Sequence, residues 1–202
     1  MLQQINLRCD TISEREEQFL KVLLMYDLII KNGLIYDGKG GRPFKADIAI
    51  LEEKIVSVGS IKGESKKTID ASGRIVTPGF VDIHTHYDGQ VTWDPYLRPS
   101  TYHGVTTVVM GNCGVGFSPC KPDQRDWLIG LMEGVEDIPG TALHEGIDWE
   151  WESFPEYLDA LEKKPLAIDV GTQIPHGAVR AYVMGDRGLK QVVATEDDIK
   201  KM

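Results

Sequence analysis

The sequence predicts an α/β fold with a small β-rich unit ahead of it. Three observations lead there. From residue 77 onward, short apolar runs alternate with segments of helical spacing, the grammar of a parallel sheet covered by helices. Before that point, residues 26–76 hold paired β-type runs broken by turn signals. At the boundary lies "PGFVDIHTHYDG", in which two of the chain's five histidines follow an apolar strand, separated by one threonine.

Residues 1–25 are polar and charged at first, show no repeat, and are expected to be an extension that adds little to the fold. Next, "YDLIIKNGLIYDG" predicts two short strands around Asn32-Gly33, the strongest hairpin signal in the chain, and "ADIAILEEKIVSVG" predicts two more around Glu52 and Glu53. With "KTIDASGRIV" added, residues 26–76 are expected to form a small antiparallel unit with "GKGGRP" as a loop tip. After Pro78-Gly79 come three near-continuous apolar strands, "GFVDIHTH", "GVTTVVMGNCG" and "PLAIDVGTQIPH". "RDWLIGLMEGVED" and "FPEYLDALEKK" lie between the second and third. Trp127, Leu128, Leu131 and Val135 in one, and Tyr157, Leu158 and Leu161 in the other, recur at helical spacing. "TEDDIKKM" starts a further helix with a threonine cap and early acids. The pattern fits either an open doubly wound sheet or the start of a (β/α)₈ barrel.

Composition narrows the function classes. With 22 basic and 31 acidic residues the formal net charge is -9, which disfavours nucleic acid and anionic membrane and favours a small-molecule substrate. Cys9, Cys113 and Cys120 are too few and too unevenly placed for a disulfide framework. No run reaches the ~20 apolar residues of a membrane span. The nearest approach to a leader, residues 19–30, is interrupted by Lys21 and Asp27 and preceded by Glu14, Glu16 and Glu17. A cytoplasmic protein is expected.

In either α/β architecture functional groups gather at the C-terminal ends of parallel strands. The first strand ends in His84 and His86, which period-2 geometry sends to one face with Asp82 and Phe80, while Val81, Ile83 and Thr85 face a layer of helices. The second ends in Asn112 and Cys113, the third in Gln173 and His176. Two imidazoles and a thiolate form a donor set that zinc prefers, so His84, His86 and Cys113 are the candidate metal ligands. Asp82 can orient an imidazole or cap a loop. His103 and His144 read as surface or loop residues and Cys120 as inert. The glycine-rich "GNCGVG" lacks the lysine and hydroxyl ending of a phosphate loop.

The motifs "YDLIIKNGLIYDG", "DASGRIVTPGFVDIHTHYD" and "GVTTVVMGNCGVGFSP", in this order and spacing, resemble the N-acyl-D-amino-acid deacylases (D-aminoacylases) of the metal-dependent amidohydrolase superfamily. The resemblance implies the N-terminal portion of a (β/α)₈ TIM-type barrel preceded by a small β-sandwich unit. Residues 26–76 would belong to the sandwich and residues 77–202 would supply the first three strand-helix units of an incomplete barrel. It also implies that His84 and His86 are first-strand metal ligands and that Cys113 takes the bridging place held by a carboxylated lysine in hydantoinases. One or two zinc ions, a small N-acyl amino acid substrate and release of a D-amino acid follow from it; a homo-oligomer is compatible with it. The family's remaining ligands and its catalytic aspartate would lie beyond Met202, so the chain is expected to be a fragment that holds the metal cradle without the catalytic acid-base group. Asp88, after Tyr87, stands where D-aminoacylases often show two acids; with Asp82, Asn112 and His176 it is a supporting or substrate-side candidate. Two alternatives stay open: a cyclic-amide hydrolase of the hydantoinase or dihydropyrimidinase type, which needs a bridging lysine that ends neither the second nor the third strand, and a non-catalytic amidohydrolase-like assembly protein.

Overall fold

The computed structural model describes residues 25–202, so Cys9 and the expected N-terminal extension, apart from Met25, lie outside the described residues. The described chain divides into two compact units, the first ending at Pro78 and the second covering Gly79–Met202.

The first unit is a five-stranded sheet in the order β3-β2-β1-β4, with β5 also paired to β1. Its strands are β1 (Tyr26–Ile35), β2 (Phe44–Leu51), β3 (Lys54–Gly59), β4 (Ser65–Asp70) and β5 (Ile75–Val76). Asn32-Gly33 is not a hairpin turn: β1 runs straight through it, with a bulge between Ile30 and Gly33. Asn32 takes the left-handed conformation (φ 62°) that such a turn would need. It is held there because its N–H donates to Asp47 Oδ1 (2.9 Å) and its Nδ2 to Asp70 Oδ1 (3.0 Å), so side chains from two neighbouring strands hold the residue as a bulge. The antiparallel expectation is corrected as well. β1 pairs antiparallel with β2 but parallel with β4 and β5. The β2–β3 turn falls where expected, with Glu52 (φ 48°) and Glu53 (φ 63°) both left-handed and Asp27 Oδ2 accepting the Glu52 N–H at 2.8 Å.

In the second unit, β6 (Phe80–Asp82), β7 (Val105–Met110) and β8 (Asp169–Thr172) form a parallel sheet in the order β6-β7-β8. Between β7 and β8 lie α1 (Arg125–Glu136), α2 (Gly140–Gly146) and α3 (Phe154–Glu162); α4 (His176–Met184), α5 (Asp186–Leu189) and α6 (Glu196–Lys201) follow. α2 carries no long apolar period and was not expected. The core gathers Val108 and Met110 of β7 with Leu128 and Met132 of α1, Leu143 of α2, Tyr157 of α3 and Ala178 of α4, each buried. Val135 and Leu158, expected to face inward, are exposed.

Two strand boundaries differ from expectation in ways that shape the site. The first strand ends at Asp82, short of both histidines. Val81 and Ile83 are exposed rather than covered by helices, on and just after the strand at the edge of this sheet. The third strand ends at Thr172, and His176 opens helix α4 directly after Pro175, whose fixed φ suits the entry to a helix.

Candidate metal centre

β6 ends at Asp82 and the chain bends at Ile83 and His84, yet it stays tied to β7. Thr85 donates both its N–H and its Oγ1–H to the Val109 carbonyl of β7 (2.9 Å each) and is itself buried. That anchor turns its neighbours to the opposite side, where the His84 and His86 rings meet edge to face with centroids 5.6 Å apart. The turn after β7 brings the third group. Gly111 (φ 75°) lies so close to the chain after β8 that a Cβ there would stand 2.1 Å from the Gln173 carbonyl oxygen. The backbone then bends through Cys113, also left-handed at φ 55°, a conformation that costs a non-glycine residue about 1–3 kcal/mol and recurs at functional sites.

His84, His86 and Cys113 each present one ligand atom within 4.8 Å of the others, the one such group of histidine, cysteine and carboxylate side chains among the described residues. His84 Nε2 stands 3.3 Å from Cys113 Sγ. Tetrahedral zinc, with bonds of about 2.0 Å to nitrogen and 2.3 Å to sulfur, separates such a pair by about 3.5 Å, so the donors fit that ion. His86 Nδ1 is buried without a hydrogen-bond partner. Burial, and secondly the neighbouring His84, lower the His86 pKa and favour the neutral imidazole, which is the ligand form.

The supporting candidates divide. Asp82 Oδ1 accepts the backbone N–H of His84 (3.1 Å), so it caps the loop rather than holding an imidazole. Asp88 is buried, its Oδ2 accepts the Gly111 N–H (3.2 Å), and burial pushes its carboxyl up to about 7. Asn112 is buried and hydrogen-bonds to Thr85, Val109 and Gln173. His176 is exposed beside the turn, its Cβ 3.4 Å from where a Cβ on Gly114 would be, and lies outside the three-residue group. His103 and His144 are exposed, the latter 3.8 Å from Asp126, and burial pushes the Cys120 thiol up to about 12. Sequence reasoning missed Glu136 and Tyr157. Glu136 Oε1 accepts the Gly89 N–H and Tyr157 donates its hydroxyl to the Asp88 carbonyl, so both brace the segment that follows His86. Neither sits in a motif.

Comparison with known proteins identifies the family. Residues 67–202 match the model of the amidohydrolase family. The chain is 33% identical to D-aminoacylase of Alcaligenes xylosoxydans xylosoxydans over 88% of its length, and 35% identical over 93% to an uncharacterized protein of Mycobacterium tuberculosis. It spans about a third of the length of these relatives, 34% and 31% respectively. A crystal structure of D-aminoacylase superposes with a TM-score of 0.70 at 31% identity, covering 87% of this chain and 34% of that one. The N-acyl-D-glutamate deacylase of Bordetella bronchiseptica, solved with zinc and a phosphonate mimic of the tetrahedral intermediate, superposes equally well at 30% identity, covering 88% and 35%. On the match across residues 67–202 and these relatives, the chain belongs to the amidohydrolase family, with D-aminoacylases among its similar proteins.

Proposed function

We propose that the whole protein is a zinc-dependent hydrolase that opens the amide bond of N-acyl-D-amino acids, releasing a D-amino acid and a carboxylate, with His84, His86 and Cys113 as metal ligands. One observation carries this reading: two imidazoles and a thiol from the loops that follow two adjacent parallel strands converge within 4.8 Å. Zinc, when bound, supplies Lewis-acid polarisation of a carbonyl and acidifies water. The chain's own residues hold the donors in place. Thr85 fixes the turn-about of the two imidazoles, Asp88 holds the Gly111 amide, and Asp82 holds the His84 amide. His176, exposed at the first turn of α4 beside the Cys113 turn, is in this reading a substrate-side residue and not a ligand.

In this reading residues 26–76 belong to a small β-sandwich unit, and residues 77–202 are the first three strand-helix units of a (β/α)₈ barrel. The parallel β6-β7-β8 order with helices following β7 and β8 supports that assignment. A bridging role for Cys113 would admit a second ion. Among the described residues no helix is long and apolar enough to cross a membrane, and we assign a cytoplasmic site of action and a small-molecule partner.

The test is a comparison of N-acyl-D-amino acids, their L enantiomers and cyclic amides as substrates of the whole protein, with and without a zinc chelator. Faster release from the D forms, abolished by chelation and restored by zinc, is the expected result. Turnover confined to cyclic amides would move the protein to the hydantoinase type, and no turnover with no bound metal to an assembly protein.

A further inference from the structure

Asn112 sits between the two halves of the candidate metal centre and is 7% exposed. Its Nδ2 donates to the Thr85 carbonyl (3.2 Å) and to the Val109 carbonyl (2.8 Å), and its Oδ1 accepts from Gln173 Nε2 (2.9 Å). Thr85 is the residue between His84 and His86. Val109 lies on β7, the strand that leads into Cys113, and Gln173 follows β8. One short side chain therefore touches all three strand ends. We propose that Asn112 is a positioning residue that sets the distance between the histidine segment and the Cys113 thiol; the proposal rests on the metal-ligand reading above.

The chemistry requires an amide in one orientation. Two carbonyl oxygens face the same atom, so that atom must be a nitrogen carrying two protons, and a carboxylate would set its lone pairs against both. The strand pairing itself does not depend on this amide. The Thr85 N–H and Oγ1–H reach the Val109 carbonyl independently, so the β6–β7 junction survives its loss. What Asn112 adds is the tether from the turn, residues 111–114, to the backbone between the two imidazoles. That turn holds Cys113 at φ 55°, where a non-glycine residue relaxes unless its surroundings hold it. Loss of the tether lets Sγ move from its place 3.3 Å from His84 Nε2 while leaving the buried core intact.

The experiment uses the whole protein and two readouts: zinc affinity by chelator competition, and the sulfur-to-metal charge-transfer band of the cobalt-substituted form. Asn112→Asp is expected to weaken zinc binding by about 10–100-fold, the usual effect of removing a group that orients a metal ligand, and to diminish the band. Gln173→Leu, which removes only the donor to Oδ1, is expected to act in the same direction and less. Trp151→Phe, which loses a buried indole N–H to the Phe117 carbonyl elsewhere in the unit, serves as the purely structural control and is expected to lower the melting temperature with both readouts unchanged. Wild-type affinity and band in Asn112→Asp, or their loss in Trp151→Phe as well, would overturn the proposal. If Asn112→Asp does not fold, Gln173→Leu decides, and unchanged affinity there overturns it. Wild-type protein that binds neither ion through sulfur would refute the metal-ligand reading itself, an outcome distinct from failure of the variants alone.

Discussion

Burial, and secondly the nearby Asp88, push the Glu136 carboxyl up to about 8, with the Gly89 N–H opposing them. An unfolded glutamate titrates near pH 4.3. Between that value and about 8 the folded chain holds more protons than the unfolded one, so this group makes stability fall as pH rises through the window. Melting curves from pH 5 to 9 are expected to show that decline, and Glu136→Gln is expected to flatten it; parallel profiles for the two proteins would contradict the assignment. At the ligands, His86→Ala and Cys113→Ala are each expected to lower zinc affinity by at least about tenfold, measured by chelator competition. The convergence of His84, His86 and Cys113 was legible in the sequence because their placement just after apolar strands is a local property. Glu136 was not, since its burial arises only when the chain after His86 folds against the end of α1, bringing Gly89 onto its carboxyl.

The helices of the second unit were legible where the sequence carries a cap or a stripe. Ser153 accepts from the Glu156 N–H and Glu156 reaches back to the Ser153 N–H, a capping box at the start of α3. Ser153→Ala is expected to cost about 1 kcal/mol in chemical denaturation. The Cys113 turn depends on a glycine. Gly111→Ala would combine a left-handed backbone with a Cβ against the Gln173 carbonyl, and a loss of at least about 1–3 kcal/mol is expected in the same measurement. Where element reading failed, long-range partners decided. Asn32-Gly33 carries the dihedral preference of a hairpin, but Asp47 and Asp70 arrive from β2 and β4 to hold it as a bulge. Likewise β6 lost its last residues as a strand, and Thr85 alone ties them to β7, through a single carbonyl. Both outcomes require knowing which strands become neighbours, which local periodicity does not encode.

At the scale of the molecule, the second unit brings its candidate ligands together beyond the C-terminal ends of its parallel strands, where α/β architectures gather functional groups. Fold class and the identity of the candidate ligands were readable because alternating apolar strands and helices, and donors at strand ends, survive in one dimension. The parallel strands β4 and β5 of the first unit were not, since an antiparallel and a parallel partner of the same strand share one side-chain alternation. The central claim is that His84, His86 and Cys113 hold zinc together, and X-ray absorption at the zinc edge of the whole protein tests it most directly. A sulfur neighbour at about 2.3 Å beside nitrogen at about 2.0 Å is expected, with the sulfur lost in Cys113→Ala. A wild-type spectrum with nitrogen and oxygen neighbours alone, or a sulfur that persists in Cys113→Ala, would contradict it.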